Sequence, residues 1–514
     1  MNTNIFNPVK PVVETRFGRL RGVNYGDVNI FMGIRYAKAK RFHMPEEQES
    51  WEGIRNAYTY GPITPQMLPP NPPSYYRGLH MLQKQDEDCQ NLNIWSPGDL
   101  SEKKPVFVWM HGGGFFAGNA LEEYSFDGFN LAKYGNIVFV SINHRLNILG
   151  HLNLADYGEE YAHSVNAGIA DLVAALKWIH ENIEAFGGDP ENVTICGHSG
   201  GGGKVQCMYQ IEEAAPYFSR GIVLSGSMAG DMVDTQEASR RSAALILREL
   251  GIGRENIHKI EEVSYAELVD AYRKALHSPE ADELTTHWSP VMDDYFRGFP
   301  LQSGFMPWSK DKPMIFGSTI GEFLMDRLTT EEKEAMDEEA RIAYIRGKYG
   351  KDADELMRLF RAAYPEHDIL DLAYLDTMVR IPTMDTAKLH AKNGLGNTWI
   401  YMAAYNAPED NWIPLWHGGD VCYIFRNEDR VYVLNEAVYG QRLSEIFSNL
   451  VLQFVRTGDP NNSFLPAWRP VSEEHPCTMV IDRKCELREG YDDELMSLLS
   501  TQANPFTMSF AKML

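Results

Sequence analysis

Ser199 stands in a setting that can turn a hydroxyl into a nucleophile. Val193-Thr194-Ile195-Cys196 has strand character, Gly197-His198-Ser199-Gly200-Gly201 follows, and residues 202–211 are compatible with a helix. Strand, sharp turn, helix is the context in which a G-x-S-x-G pentapeptide presents its serine for attack on a carbonyl carbon. The turn holds the serine in a strained backbone conformation. Bulky neighbours would clash there, and Gly197 and Gly201 flank it. The helix that follows directs its first N–H groups at negative charge developing beside Ser199 Oγ.

Such a serine needs a base, an acid to orient the base, and donors for an oxyanion. His111-Gly112-Gly113-Gly114-Phe115 directly follows the apolar run 106–110. Consecutive glycines let a loop turn its N–H groups into a cavity unobstructed by side chains, and an HGGG-type loop is the expected partner of this serine turn. The N–H groups of Gly113, Gly114 and Gly200 are the candidate oxyanion donors. With 71 acidic residues and 15 histidines in the chain, residue type alone selects neither acid nor base. The run from Gly200 to Lys204 has the look of a phosphate loop. It fails the spacing of one, because His198 stands where the first glycine belongs and Val205 replaces Ser/Thr.

These groups must be carried by a sheet. Residues 106–110 and 137–142 are short, nearly continuous apolar runs, as expected of strands buried on both faces. Residues 168–186 read as an amphipathic helix, and further strands fit 221–224, 313–316 and 398–405. Strands alternating with helices predict an α/β fold with a largely parallel central sheet and helices on both faces, the active site lying beyond the carboxyl ends of the strands. Residues 12–36 read as two strands with a turn at Asn24-Tyr25-Gly26. The proline-rich stretch 62–76 reads as a surface loop. Residues 439–456 form a long helix stopped by Gly458 and Pro460. Charged helical stretches at 229–312 and 329–383 read as cap or side-wall insertions into a single domain spanning 1–514.

The chain has 514 residues, 44% of them hydrophobic, ample for a large core. Its formal net charge of −23 argues against nucleic acid and anionic membranes as partners. The first residues have neither a basic start nor an apolar core segment, and no apolar run approaches a membrane span. The six cysteines lack C-x-x-C spacing and read as reduced thiols of a cytoplasmic protein.

With these motifs in order, the sequence resembles the type B carboxylesterase and cholinesterase family of the α/β-hydrolase fold. The serine motif extends upstream as Phe186-Gly187-Gly188-Asp189-Pro190. A second signature appears, altered, in residues 87–97. Gly33-Ile34-Arg35-Tyr36-Ala37, Asn143-His144-Arg145, Asn166-Ala167-Gly168 with Asp171 and Trp178, Ser225-Gly226-Ser227 and Gly458-Asp459-Pro460-Asn461 are also similar. The resemblance implies that the acid is Glu322, within Gly317-Ser318-Thr319-Ile320-Gly321-Glu322-Phe323, with Asp326 as rival. It implies that the base is His417, followed by Gly418-Gly419-Asp420 and an aromatic-rich strand from Val421. The implied activity is serine carboxylesterase chemistry on a small-molecule ester through an acyl-enzyme, with no metal or cofactor. A feruloyl or acetyl-carbohydrate esterase is the alternative, and a non-catalytic, neuroligin-like adhesion protein a more distant one. Phe115, Phe116, His198, Met228 and Trp416 adjoin these residues and are candidate pocket walls. The family often has Glu where this chain has His198, which argues against a preference for cationic substrates. Thr64 falls where secreted relatives keep the disulfide partner of Cys89. Arg41 with Glu87, and Arg145 with Asp171, resemble the family's buried ion pairs.

Overall fold

The structure is a computed structural model that describes residues 6–7, 10–66, 83–99, 102–280, 284–285, 287–323, 327–408 and 412–502. Its centre is a sheet of twelve strands: β1 (Phe6–Asn7), β2 (Val23–Tyr25), β3 (Val28–Arg35), β4 (Asn91–Pro97), β5 (Lys104–Met110), β6 (Val138–Ile142), β7 (Gly188–His198), β8 (Arg220–Leu224), β9 (Met314–Thr319), β10 (Thr398–Ala403), β11 (Cys477–Ile481) and β12 (Glu486–Glu489). Their spatial order is β1-β2-β3-β4-β6-β5-β7-β8-β9-β10-β11-β12. The seven strands from β6 to β11 in that order run parallel, and antiparallel strands close both edges.

The core follows from alternation along each strand. On β5, Val106, Val108 and Met110 face one layer, where they meet Ile169, Leu172, Val173, Leu176 and Ile179 of helix α1 (Ala167–Asn182). Phe107 and Trp109 face the other layer, where they meet Phe447, Leu450, Val451 and Phe454 of a long C-terminal helix. Strands β6, β9 and β10 are buried at every residue, which explains their nearly continuous apolar character. That C-terminal helix, Tyr439–Thr457, ends at Gly458 in the left-handed region, φ +79°, as its sequence predicts.

The chain between β8 and β9 is largely helical and includes α3 (Gln236–Glu249) and α4 (Tyr265–Leu276), counting the helix after β7, Gly200–Tyr209, as α2. The chain between β9 and β10 includes α5 (Glu338–Tyr349), α6 (Ala353–Ala363) and α7 (Arg380–Ala391). Each stretch builds a separate apolar cluster against the main body, one around Tyr272 and Trp288 and one around Leu356 and Phe360. The last helix, α7, packs on β9 and β10 themselves.

The structure revises two expectations. Residues 12–36 form four strands rather than two. Val12–Thr15 and Gly18–Arg21 pair as a hairpin in a small separate sheet, because Thr15 Oγ1 caps a turn at Gly18 and the chain breaks again at Gly22. The aromatic run after His417 is a helical turn, Val421–Ile424, rather than a strand; all four side chains are buried, so burial on every side imitates strand periodicity. Most of the proline-rich loop, residues 67–82, lies outside the described residues.

Arg145 and Asp171 make the buried pair that the resemblance implies. Asp171 accepts Nε at 2.8 Å, a terminal guanidinium nitrogen at 2.7 Å and the Arg145 backbone N–H at 3.0 Å. Arg41 and Glu87 also pair, half-buried, with Nε to Oε2 at 2.8 Å. Breaking the buried pair strands a guanidinium in the core. We expect Asp171→Asn to lower unfolding stability by about 3–5 kcal/mol, read from the shift of the urea midpoint. A loss below about 1 kcal/mol, the worth of a surface pair, would contradict that placement.

Candidate active site

Parallel strands deliver their carboxyl ends to one edge, and the candidate residues gather there. Ser199 directly follows β7 with φ 57° and ψ −126°, a conformation few side chains adopt. Its N–H donates to Leu224 O at 2.8 Å, tying the turn to β8, and its carbonyl accepts from Gly202 N–H at 2.8 Å, starting α2. The glycines after it are there for close approach. A Cβ on Gly201 would lie 2.0 Å from Met110 O, and one on Gly200 2.3 Å from Gly114 O. The first turn of α2 therefore rests directly on the loop that follows β5. In that loop Gly113 and Gly114 both have positive φ, +79° and +64°. Among the described residues the N–H groups of Gly113, Gly114 and Gly200 take no protein acceptor.

Glu322 and His417 arrive from β9 and from the segment after β10. They are joined twice. The His417 N–H donates to Glu322 O at 2.8 Å, within a short parallel bridge between Glu322 and Trp416. The side chains meet with His417 Nδ1 2.5 Å from Glu322 Oε2. The other carboxylate oxygen accepts the Ser225 hydroxyl at 2.7 Å and the Thr319 N–H at 2.8 Å. The imidazole lies between two rings, His198 at 4.4 Å and Phe323 at 4.3 Å between centroids. Its Nε2 is buried without a hydrogen-bond partner. It shares a cavity with Ser199, lined also by Phe115, Met228, Met232, Phe323 and Met378.

The Carboxylesterase family profile matches residues 9–498. The chain belongs to the carboxylesterase family. A solved structure, an esterase from anaerobic Clostridium hathewayi that can hydrolyze aliphatic aromatic polyesters, is similar at 39% identity and a TM-score of 0.92, covering 97% of this chain and 99% of that one. Para-nitrobenzyl esterase of Bacillus subtilis (strain 168) is 29% identical, covering 94% of this chain and 97% of its own. Phenmedipham hydrolase of Pseudarthrobacter oxydans is 27% identical, covering 92% and 95%. The protein is a carboxylic ester hydrolase of the α/β-hydrolase fold, and the adhesion reading gives way.

The candidate pocket residues of this carboxylesterase separate in the structure. Phe115 and Met228 line the cavity. Phe116 points the other way, into the apolar cluster around Tyr272 and Trp288. Trp416 packs in the core on the far layer of the sheet. His198 is fully buried and packs tilted against His417, and it does not line the cavity. Asp326 lies outside the described residues. Sequence reasoning missed the Ser225 and Thr319 donors, although Ser225 stood in a quoted Ser-Gly-Ser motif just past a strand end. It also missed Met232, His287, Met378 and Val379, which reach the cavity from the chain between β8 and β9 and between β9 and β10 and carry no local pattern. Asp376 accepts the N–H groups of Met378, Val379 and Arg380, and so sets that wall.

Burial raises the Glu322 carboxyl, and the Ser225 and Thr319 donors oppose that rise. Burial lowers the His417 imidazole. With His417 as the proposed base, which must be unprotonated to act, a lowered imidazole keeps the enzyme active further into acid. We expect the acid limb of kcat/KM to fall with a midpoint below about 6.5, the ordinary histidine value. A midpoint above about 7 would show that Glu322 raises the imidazole by more than burial lowers it.

Proposed function

We propose that this esterase works through a Ser199–His417–Glu322 triad. One observation carries the reading: His417 has its Nδ1 on Glu322 and its buried Nε2 without a partner, in the cavity that Ser199 enters. Ser199 Oγ attacks the ester carbonyl carbon while His417 Nε2 takes its proton. Glu322 holds the tautomer and stabilises the imidazolium. The N–H groups of Gly113, Gly114 and Gly200 receive the carbonyl oxygen as it becomes an oxyanion. The C–O bond breaks, the alcohol leaves with the proton from His417, and an acyl group remains on Ser199. Water, deprotonated by His417, then releases the acid. No step requires a metal or cofactor.

The lining favours apolar esters. Two phenyl rings and three methionines surround Ser199, and the polar side chains beyond the triad are Ser225, Ser227 and His287. Methionines deform to fit flat or irregular groups and contact aromatic rings well. Aryl and arylalkyl esters, including the para-nitrobenzyl and aromatic polyester classes named for relatives, suit this wall. Feruloyl esters share that ring, whereas acetylated sugars would leave hydroxyls without partners. The helical stretches 229–312 and 329–383 act as side walls of one domain, since they supply Met232, His287 and Met378.

Among the described residues no helix is long and apolar enough to cross a membrane. We place the enzyme in the cytoplasm, supported by six free cysteines and by Thr64 Oγ1 standing 2.9 Å from Cys89 Sγ, where a disulfide partner would be.

Ser199→Ala should lower kcat about 10⁴-fold or more with the fold intact. A serine-directed fluorophosphonate should label Ser199 alone, and an active Ala variant would remove the triad reading. The same peptide map, alkylated without reductant, should show Cys89 modified; a Cys89 disulfide would contradict the cytoplasmic placement. Against a panel of p-nitrobenzyl, feruloyl and acetyl-sugar esters, we expect kcat/KM to be at least about tenfold higher for the aromatic esters. Preference for acetyl-sugars would refute the apolar-wall argument.

A further inference from the structure

Lys204 is an anomaly in α2. It lies in the second turn after Ser199, its side chain is fully buried, and an unpaired ammonium in such a place is strongly unfavourable. Its environment explains how it is tolerated. Nζ donates to His111 O at 2.8 Å and more weakly to Gly112 O at 3.4 Å. It sits 5.9 Å from the centre of the Phe115 ring. Burial lowers the Lys204 ammonium to about 7, and the negative charge of half-buried Glu122 opposes that fall and favours its charged form. The rings of His111, His144 and His151 surround this region. Each places Nδ1 on a backbone carbonyl: Gly112 O at 2.9 Å, Arg145 O at 2.8 Å and Val165 O at 2.8 Å. Burial and the nearby Lys204 charge keep all three neutral.

The carbonyls that Lys204 reaches belong to the loop carrying the proposed oxyanion donors. Gly112 O and Gly113 N–H are the two ends of one trans peptide and point in opposite directions. A donor on the oxygen side therefore lies behind whatever the N–H faces. It also draws electron density through the amide, which strengthens that N–H as a donor. Gly112 O carries two such contacts, Lys204 Nζ and His111 Nδ1.

We propose that Lys204 is a positioning residue of this esterase: from beneath the loop it holds and polarises the Gly112–Gly113 peptide, so that Gly113 N–H binds the oxyanion more tightly than it binds the ester carbonyl. The inference rests on Gly113 being an oxyanion donor. The interaction gains strength only as charge develops, so it raises kcat and leaves ground-state binding alone. The ligand it serves is the tetrahedral oxyanion of any ester, not one alcohol or acyl group.

The test compares wild type with Lys204→Met and Lys204→Gln. Met matches the buried stem and removes the charge; Gln retains a donor without charge, and serves if the Met variant does not fold. For p-nitrophenyl acetate, we expect kcat to fall about 10- to 100-fold, less than for loss of a whole donor, with KM within about threefold. Two inhibitors separate positioning from general damage. 1,1,1-Trifluoro-4-phenylbutan-2-one forms a tetrahedral oxyanion adduct on the serine, and 4-phenylbutan-2-one binds without one. The trifluoromethyl ketone should weaken by the same factor as kcat, while the methyl ketone binds unchanged. An unchanged kcat, or a fall in kcat without weaker trifluoromethyl ketone binding, would overturn the role of Lys204. Equal weakening of both ketones would assign it a purely structural role and overturn it too. None of those outcomes touches the triad, which is judged separately by fluorophosphonate labelling of Ser199 in the wild-type enzyme.

Discussion

The site depends on how closely two backbones approach. The first turn of α2 lies against the loop after β5, with Gly201 over Met110 O and Gly200 over Gly114. No side chain fits between them. This contact fixes the distance between the serine and the loop N–H groups before any side-chain rotamer is chosen. It also explains the strained Ser199 backbone. The chain must turn from β7 into α2 within one residue to reach that contact, and the parallel pairing of β7 with β5 and β8 holds both sides of the turn. Atoms placed by the backbone in this way need no reorganisation as charge develops.

The proposed acid and base are fixed by a different device. Glu322 and His417 sit on separate segments, yet a backbone hydrogen bond and a side-chain hydrogen bond join the same two residues. The ring is then clamped between His198 and Phe323. Position, tautomer and tilt are thus set by three independent contacts. Ser225 and Thr319 keep the far carboxylate oxygen satisfied, so that one oxygen remains for the imidazole.

What was legible in the sequence was what repeats locally. The alternation of Val106, Phe107, Val108 and Trp109 announces a strand buried on two faces, and the structure sends each set to its own layer. The serine turn and the glycine loop were legible because each is a short motif whose chemistry dictates its residues. Glu322 and His417 were reachable only through family resemblance, since no spacing rule links residues that meet through a sheet edge. The pocket was the least legible part. Phe115 and Phe116 are adjacent, yet one lines the cavity and the other packs into the apolar cluster around Tyr272 and Trp288. Neighbours in a loop share no periodicity that would tell them apart. The strand expected after His417 failed for a related reason: Val421–Ile424 is buried on all sides, and burial erases the period that separates helix from strand.

The two hydrogen bonds between Glu322 and His417 have a consequence for the chain between them. That chain leaves the sheet, forms α5 to α7 with their connections, returns through β10 and closes on itself at Glu322 and His417. Closing a loop loses entropy only as the logarithm of its length. Helices in this stretch can therefore lengthen, shorten or be exchanged while the ends stay stapled at almost the same free energy. The chemistry is insulated from its own side wall. Such a scaffold can remodel Met378 and its neighbours for a new ester and leave the reacting atoms where they are.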